Sequence, residues 1–255
     1  MNIQFIPRNT TPLCKTLLVC ALAWPLLSQA ADHSAHMGEA KHDHGDNPLL
    51  VYGAIDHLET VLDGGEEVYA LDAQGWIGKD LDKLWLKTDL TQTAGTLEEA
   101  EVQALYSRAV SAYWDLQLGL RHDAKPSPSQ DWLVVGVQGL APYWFDVDAA
   151  LFIASAGQTS ARLTAEYELL ITQQLILSPE VGLTFYGQND PSREIGAGLA
   201  EATASLRLSY AFWREFAPYV GINWRGHYGN TAEFIRQHGE KTQQTEGVIG
   251  LQAWF

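Results

Sequence analysis

Cysteine, basic residues and long apolar runs are all scarce in this sequence. Its two cysteines, Cys14 and Cys20, lie near the N-terminus, which excludes a disulfide framework, a cysteine nucleophile or a zinc knot from the rest of the chain. Lys and Arg total 16 against 31 Asp and Glu, a net charge of −15, which argues against nucleic acid as a partner and favours cations. Hydrophobic residues make up 46%, too many for a chain disordered over most of its length.

The first thirty residues have the pattern of a secretory signal. Arg8 and Lys15 precede an apolar stretch at 17–27, and Ser28 and Ala30 place small residues where a signal peptidase cleaves. The apolar stretch is too short to cross about 30 Å of hydrocarbon as a helix. We therefore predict a signal peptide over 1–30, with cleavage after Ala30, and an exported mature protein.

A polar tail is predicted over 31–48, and it holds half of the chain's 8 histidines. It has no apolar periodicity, so we expect it to be disordered without a ligand and to lie in the periplasm. Several imidazoles on one segment can wrap a metal ion, and this donor set suits Cu(II), Ni(II) or Zn(II) better than Cu(I). The alternative is a solvated polar linker. The candidate ligands are His33, His36, Met37, His42 and His44.

From residue 49 to 255 the sequence alternates apolar and polar residues with a period of two. Leu116, Leu118 and Leu120, for example, alternate with Asp115, Gln117 and Arg121. About twelve such stretches predict an all-β fold, a closed antiparallel outer-membrane β-barrel. The connections between successive strands fall into two alternating sets. The even-numbered connections, near Asp80, Ser111, Pro142, Gln173 and Phe216, are short. Among the odd-numbered connections, the fifth, ninth and eleventh are long.

Two further features favour a membrane barrel over a soluble, lipocalin-like one. The last strand alternates apolar residues and ends on the aromatic Phe255, and Trp and Tyr lie near strand ends, as in an aromatic girdle. A soluble barrel would need a highly charged outer face, for which Lys and Arg are too few.

The alternate positions are predicted to face the lumen, and ten of them are acidic while five are basic. Such a lumen attracts cations, although the ordinary role of many of these carboxylates is to form ion pairs. His57, which shares a strand face with Glu59, and His227 are the histidine candidates there. The predicted lumenal charges are Asp72, Asp89, Glu101, Asp115, Asp123, Asp146, Asp148, Glu166, Glu168 and Glu201, with Lys87, Arg121, Arg162, Arg207 and Arg225.

A series of sequence blocks resembles the copper resistance protein B family of the bacterial outer membrane. The blocks are 52–53 (YG) with Asp56, Leu58 and Glu59, 75–80 (GWIGKD), 84–88 (LWLKT), 103–108 (QALYSR), 114–119 (WDLQLG) with Arg121, and 136–144 (GVQGLAPYW). The resemblance implies copper tolerance, with copper bound or passed across the outer membrane. Tails in this family are often rich in methionine, whereas this one has only Met37, so Cu(II) is favoured over Cu(I).

The resulting hypothesis is a non-enzymatic outer-membrane protein that gathers copper with its tail and His57 and Glu59 and passes it through an acidic lumen. Its expected partners are membrane lipid, copper ions and periplasmic copper-handling proteins, not nucleic acid. The alternatives are a general small-solute channel with an incidental His-rich leader and an outer-membrane hydrolase. No catalytic serine, phosphate loop or metalloprotease motif supports the hydrolase.

Overall fold

The computed structural model describes residues 48–62 and 67–255, whose strands form one antiparallel sheet that closes on itself. Strands that are neighbours in the sequence are neighbours in the sheet, and the last strand pairs with the first. The strands are β1 Leu50–Val61, β2 Val68–Gly78, β3 Asp82–Thr93, β4 Thr96–Ala109, β5 Trp114–Lys125, β6 Gln130–Ala141, β7 Phe145–Ala154, β8 Thr159–Tyr167, β9 Leu169–Leu170, β10 Leu175–Tyr186, β11 Gly198–Tyr210, β12 Phe216–His227 and β13 Gln243–Trp254.

The thirteen strand segments occupy twelve strand positions in the barrel wall, each of which is called a stave below. The two-residue β9 continues β8 after a break at Glu168, and both segments pair with β10. The predicted closed antiparallel barrel of about twelve strands is therefore confirmed.

The two faces of the wall differ as the period of two predicts. On β5, Leu116 and Leu120 are 45% and 65% exposed on the outer face, whereas Gln117 and Arg121 are buried inside. A continuous belt of exposed leucine and valine is unfavourable in water but matches hydrocarbon. The inner face also carries an apolar cluster on one side of the barrel, formed by Trp85, Leu105, Trp132, Val134, Phe152 and Ala154.

The connections at the two ends of the barrel differ in length. At one end, the turn rim, all five connections are short, as predicted: 79–81, 110–113, 142–144, 171–174 and 211–215. The opposite end, the loop rim, has the long connections 187–197 and 228–242, also as predicted. The fifth connection, 126–129, is shorter than predicted because the β5–β6 ladder continues to the pair of Asp123 with Gln130.

Two features of the loop rim were not predicted. The turn between β3 and β4 has only two residues, Ala94 and Gly95, both with positive φ, a conformation that matches the right-handed twist of a hairpin. The connection 228–242 contains a helix, α1 Gly229–Gln237, which is too short to give a clear helical period in the sequence. Within residues 48–62 and 67–255, the helical segments are all too short or too polar to cross a membrane.

The C-terminal Phe255 extends the contact that closes the barrel. Its N–H donates to the Gly53 carbonyl at 2.9 Å, the Gly53 N–H donates to the Phe255 carbonyl at 3.0 Å, and the Phe255 residue is 78% exposed.

We expect Phe255→Asp to lower the amount of assembled barrel, because a carboxylate replaces an aromatic ring at a lipid-facing position. The measurement is the fraction of membrane-inserted protein that migrates as a compact band on an unheated detergent gel. Phe255→Leu is the control, and equal assembly of the Asp and Leu variants would contradict the expectation.

Candidate functional site

The barrel encloses a cavity of about 1590 Å³ that is lined by charged side chains. Of the predicted lumenal charges, all but Asp115 line this cavity, and Asp115 contacts Lys83 and Ser107. The cavity therefore has the acidic lining that the sequence predicts, formed by Asp72, Asp89, Glu101, Asp123, Asp146, Asp148, Glu166, Glu168 and Glu201 with Lys87, Arg121, Arg162, Arg207 and Arg225.

Some ion pairs cross the lumen between strands that are four or five staves apart. Lys87 on β3 binds Asp148 on β7, with 2.6 Å between Nζ and Oδ2. Arg162 on β8 binds Glu101 on β4 with both of its terminal nitrogens, at 3.1 and 3.0 Å. Because these side chains reach across the interior, they narrow it far below the diameter of the backbone barrel.

The most buried network joins Arg121 to two carboxylates. Its guanidinium lies 2.8 Å from Glu101 Oε2 and 2.6 Å from Asp123 Oδ1. Trp132 Nε1 donates to the other oxygen of Asp123 at 2.9 Å, and the ring of Phe152 lies 4.7 Å from the guanidinium carbon. These contacts satisfy the charges on Glu101 and Asp123, so both carboxylates are structural.

Removing the Arg121 charge should destabilise the barrel strongly. We expect Arg121→Met to cost about 3 kcal/mol, because breaking a buried ion pair leaves carboxylates short of a partner. Lys83→Met is the matched control, since the more accessible Lys83–Asp115 pair at 3.4 Å should contribute about 0–1 kcal/mol. The measurement is the free energy of unfolding in detergent with urea, and equal losses in the two variants would contradict this assignment.

A second group of lumenal carboxylates has no ion pair in the part of the chain that the structure describes. Two of them, Glu98 and Glu246, accept side-chain hydrogen bonds from Thr93 and Gln244. For the other six as well, no Lys, Arg or His nitrogen of the described residues lies within salt-bridge distance of the carboxylate oxygens. These six are named here the unpaired acids: Asp56, Asp72, Asp89, Asp146, Glu166 and Glu168.

The strand register places four of these carboxylates directly opposite one another. Asp72 on β2 is opposite Asp89 on β3, and Asp146 on β7 is opposite Glu166 on β8. Asp56 is adjacent to His57, which is opposite Asp72 in the β1–β2 ladder. Like charges in directly opposite positions destabilise a sheet, so this arrangement has a cost unless a cation or a bound proton offsets it.

A β-bulge brings Asp56 into the lumen. Simple alternation with His57 and Glu59 would direct Asp56 to the outer face, but the register shifts between Ile55 and His57 in the β1–β2 ladder. The bulge adds a residue to one strand and redirects side chains, and both Asp56 and His57 line the cavity. Asp56 and Glu180 are lumenal acids that the sequence reasoning missed; a charged residue in a membrane-spanning strand was the available signal for Asp56.

His57 and Glu59 both face the lumen, as predicted, but their environments differ. His57 Nε2 lies 3.8 Å from Glu180 Oε2, and its buried Nδ1 has no hydrogen-bond partner among the described residues. Glu59 accepts hydrogen bonds from Tyr219 at 2.9 Å, Asn223 at 2.7 Å and Arg207 at 3.5 Å. The imidazole thus has a ring nitrogen available, whereas the Glu59 oxygens already have donors.

The other candidate ligands are less close to one another. His227 Nδ1 lies 3.8 Å from Glu201 and, within the described ranges, has no hydrogen bond. Among residues 48–62 and 67–255, no three His, Cys, Asp or Glu side chains are grouped closely enough to hold a metal ion. The tail candidates His33, His36, Met37, His42 and His44 lie outside the described residues, as does the predicted signal peptide.

The closed twelve-stave wall, the apolar outer belt and the charged lumen define a porin-like outer-membrane β-barrel. The solved structure of the NanC porin is similar to this chain, with a TM-score of 0.52 and 13% identity over 81% of this chain and 99% of the porin. The chain belongs to the copper resistance protein B family. The model of this family, described as "Copper resistance protein B precursor (CopB)", matches residues 49–255.

Two curated relatives support this membership. A copper resistance protein B homolog of Pseudomonas syringae pv. tomato is 45% identical over 89% of this chain and 76% of the relative. Copper resistance protein B of Escherichia coli is 38% identical over 86% of this chain and 73% of the relative. The protein is therefore an outer-membrane copper-resistance protein, and the predicted family and location are confirmed.

Proposed function

We propose that this protein binds Cu(II) and passes it across the outer membrane through its acidic lumen, without catalysing a reaction. The observation that carries the proposal is the set of six unpaired acids, four of which are directly opposite one another on adjacent strands. A divalent cation offsets this repulsion better than a monovalent one, because the attraction scales with ion charge. Carboxylate oxygen and imidazole nitrogen are both suitable Cu(II) ligands.

The unpaired acids can act as successive weak binding positions. Asp146 is opposite Glu166, and Asp72 is opposite Asp89. Asp56 lies at the bulge of β1, next to the residue that is opposite Asp72, and Glu168 follows Glu166 by two positions. Conduction requires sites that attract an ion but release it to the next site. The absence of a grouped three-ligand centre among the described residues fits weak, successive contacts better than one tight site.

The paired charges support passage of small cations rather than general solute diffusion. Ion pairs such as Lys87–Asp148 and Arg162–Glu101 fill the interior, so bulky solutes are excluded by size. The excess of carboxylates repels anions. Both features favour a cation path over the alternative of a general small-solute channel.

In this proposal, the tail gathers Cu(II) on the periplasmic side through His33, His36, Met37, His42 and His44. Periplasmic copper-handling proteins are the proposed source of the metal. Inside the barrel, His57 is the proposed nitrogen ligand, with its unpartnered Nδ1. Glu59, two residues from His57, is the proposed neighbouring carboxylate, and it accepts hydrogen bonds from Tyr219, Asn223 and Arg207.

Copper tolerance of cells tests the proposal. A strain lacking its own outer-membrane copper-resistance protein should grow at higher copper when it produces the wild-type chain than when it produces Asp72→Asn/Asp89→Asn. Immunoblots of outer membranes should show equal amounts of the two proteins. Equal copper tolerance at equal protein levels would reject a role for the unpaired acids.

A further inference from the structure

The connection 187–197 at the loop rim folds back toward the lumen. It is a compact turn, because Asp190 and Ile195 exchange backbone hydrogen bonds and the Asp190 carboxylate accepts from Ser192. Arg193, Glu194 and Ile195 line the lumenal cavity. The connection therefore forms part of the enclosure of the lumen at this end.

The side chain of Arg193 binds this connection to the opposite side of the barrel wall. Its side chain is only 3% exposed and donates to Asp123 at 3.0 Å and to Gln130 at 3.0 Å. Asp123 lies on β5, four staves from β10, where the connection begins. The guanidinium thus reaches across the opening, and it does so although Asp123 already has Arg121 and Trp132 as partners.

Helix α1 holds the connection from the other side. Thr231 accepts a hydrogen bond from the Gly196 N–H at 2.8 Å, and Asn230 donates to Asn189 at 3.0 Å. A Cβ atom at position 196 would lie 2.4 Å from the Thr231 nitrogen, so only glycine permits this approach. Glu194 and His238 add an ion pair of 3.4 Å when the imidazole is protonated. The connection 187–197 and α1 together are named the cap.

We propose that Arg193 is the residue that sets ion selectivity at the loop rim, by holding the cap across the lumen with a positive charge. This proposal rests on the proposed passage of cations through the lumen. A guanidinium in a narrow acidic opening both reduces the open cross-section and repels cations. It adds a second guanidinium beside Asp123, whose charge Arg121 already balances. Arg193 is thus a positioning and selectivity residue at the end of the path opposite the turn rim.

Single-channel conductance in potassium chloride tests this role independently of copper. In planar lipid bilayers, the full mature chain with Arg193→Ala should show about twofold higher conductance than wild type, because the opening widens and loses a positive charge. The reversal potential in a potassium chloride gradient should shift toward greater cation preference, a change that looser packing alone would not produce. Arg236→Ala is the matched control, because Arg236 is an exposed cation on α1 whose side chain makes no hydrogen bond or ion pair with described residues, and it should leave both values unchanged.

Gly196→Val is the second variant, in case Arg193→Ala fails to assemble. Its side chain forces the connection 187–197 away from Thr231 of α1 without altering the barrel wall, so the conductance should again rise. Compact, assembled variants with wild-type conductance and reversal potential would overturn the proposal. A rise in potassium conductance supports the role of Arg193 even if the wild-type chain carries no copper, so failure of the proposed function is distinguishable from failure of this inference.

Discussion

Asp72→Asn/Asp89→Asn should slow copper passage by about tenfold or more while making the barrel slightly more stable. A charge pair at 4 Å near a protein surface is worth about 4 kcal/mol, so loss of two carboxylates from the path easily exceeds the 1.4 kcal/mol of a tenfold change. Removal of a directly opposed like-charge pair should add a few tenths of a kcal/mol to stability. The measurements are copper flux into vesicles that contain a fluorescent chelator and the thermal midpoint in detergent.

Asp115→Asn is the matched control for this double variant. Asp115 is also acidic and inward-facing, but it is paired with Lys83 and accepts a hydrogen bond from Ser107. Its replacement should lower stability and leave copper flux close to wild type. Unchanged flux in the Asp72→Asn/Asp89→Asn protein, or slowing of the same size in both proteins, would show that the unpaired acids are not the cation path.

The tail should hold the tighter copper. We expect replacement of His33, His36, His42 and His44 together by alanine to remove high-affinity Cu(II) binding at pH 7 from the mature chain. The barrel should remain folded, because the strands that the structure describes all begin at or after Leu50. In the wild type, this binding should weaken as the pH falls through about 6.5, the pKa of a free imidazole, since only the neutral ring binds metal. Isothermal titration calorimetry measures both effects.

Two exposed histidines of the loop rim provide the control for the tail. His122 and His238 are accessible on the barrel, so replacing both with alanine removes imidazoles without altering the tail or the lumenal candidates His57 and His227. High-affinity binding should persist in this control. If instead the quadruple tail variant binds Cu(II) as tightly as wild type, the tail is only a solvated leader and copper binding resides in the barrel, where His57 is the first position to replace.

The barrel wall could be predicted from the sequence because lipid and lumen select opposite chemistry at alternate positions. Leu163 and Glu166, for instance, fall on the outer and inner faces as alternation requires. The short turns were also visible, since the strands of a closed wall must reverse at regular intervals. Both features depend on local sequence patterns, the alternation of residues and the spacing of turns, which are visible in a single sequence.

Which carboxylates are paired could not be predicted, because the partners lie across the barrel. Glu101 is neutralised by Arg162, 61 positions away, whereas Asp89, directly opposite Glu101 on the neighbouring strand, has no ion pair among the described residues. Asp56 was missed because a bulge breaks the alternation. The role of Arg193 depends on how a loop folds back, and its contact with Asp123 spans 70 positions.

The most direct test of a copper path is flux into proteoliposomes that contain the full mature chain. With a chelator inside and Cu(II) outside, the wild type should accelerate copper entry well above protein-free vesicles, with saturation as the lumenal positions fill. At low copper, a chain lacking 31–48 should admit copper no faster than protein-free vesicles do. At high copper it should still pass the metal, because the unpaired acids remain. Copper entry at the protein-free rate, with the barrel shown to be compact and inserted, would contradict the account.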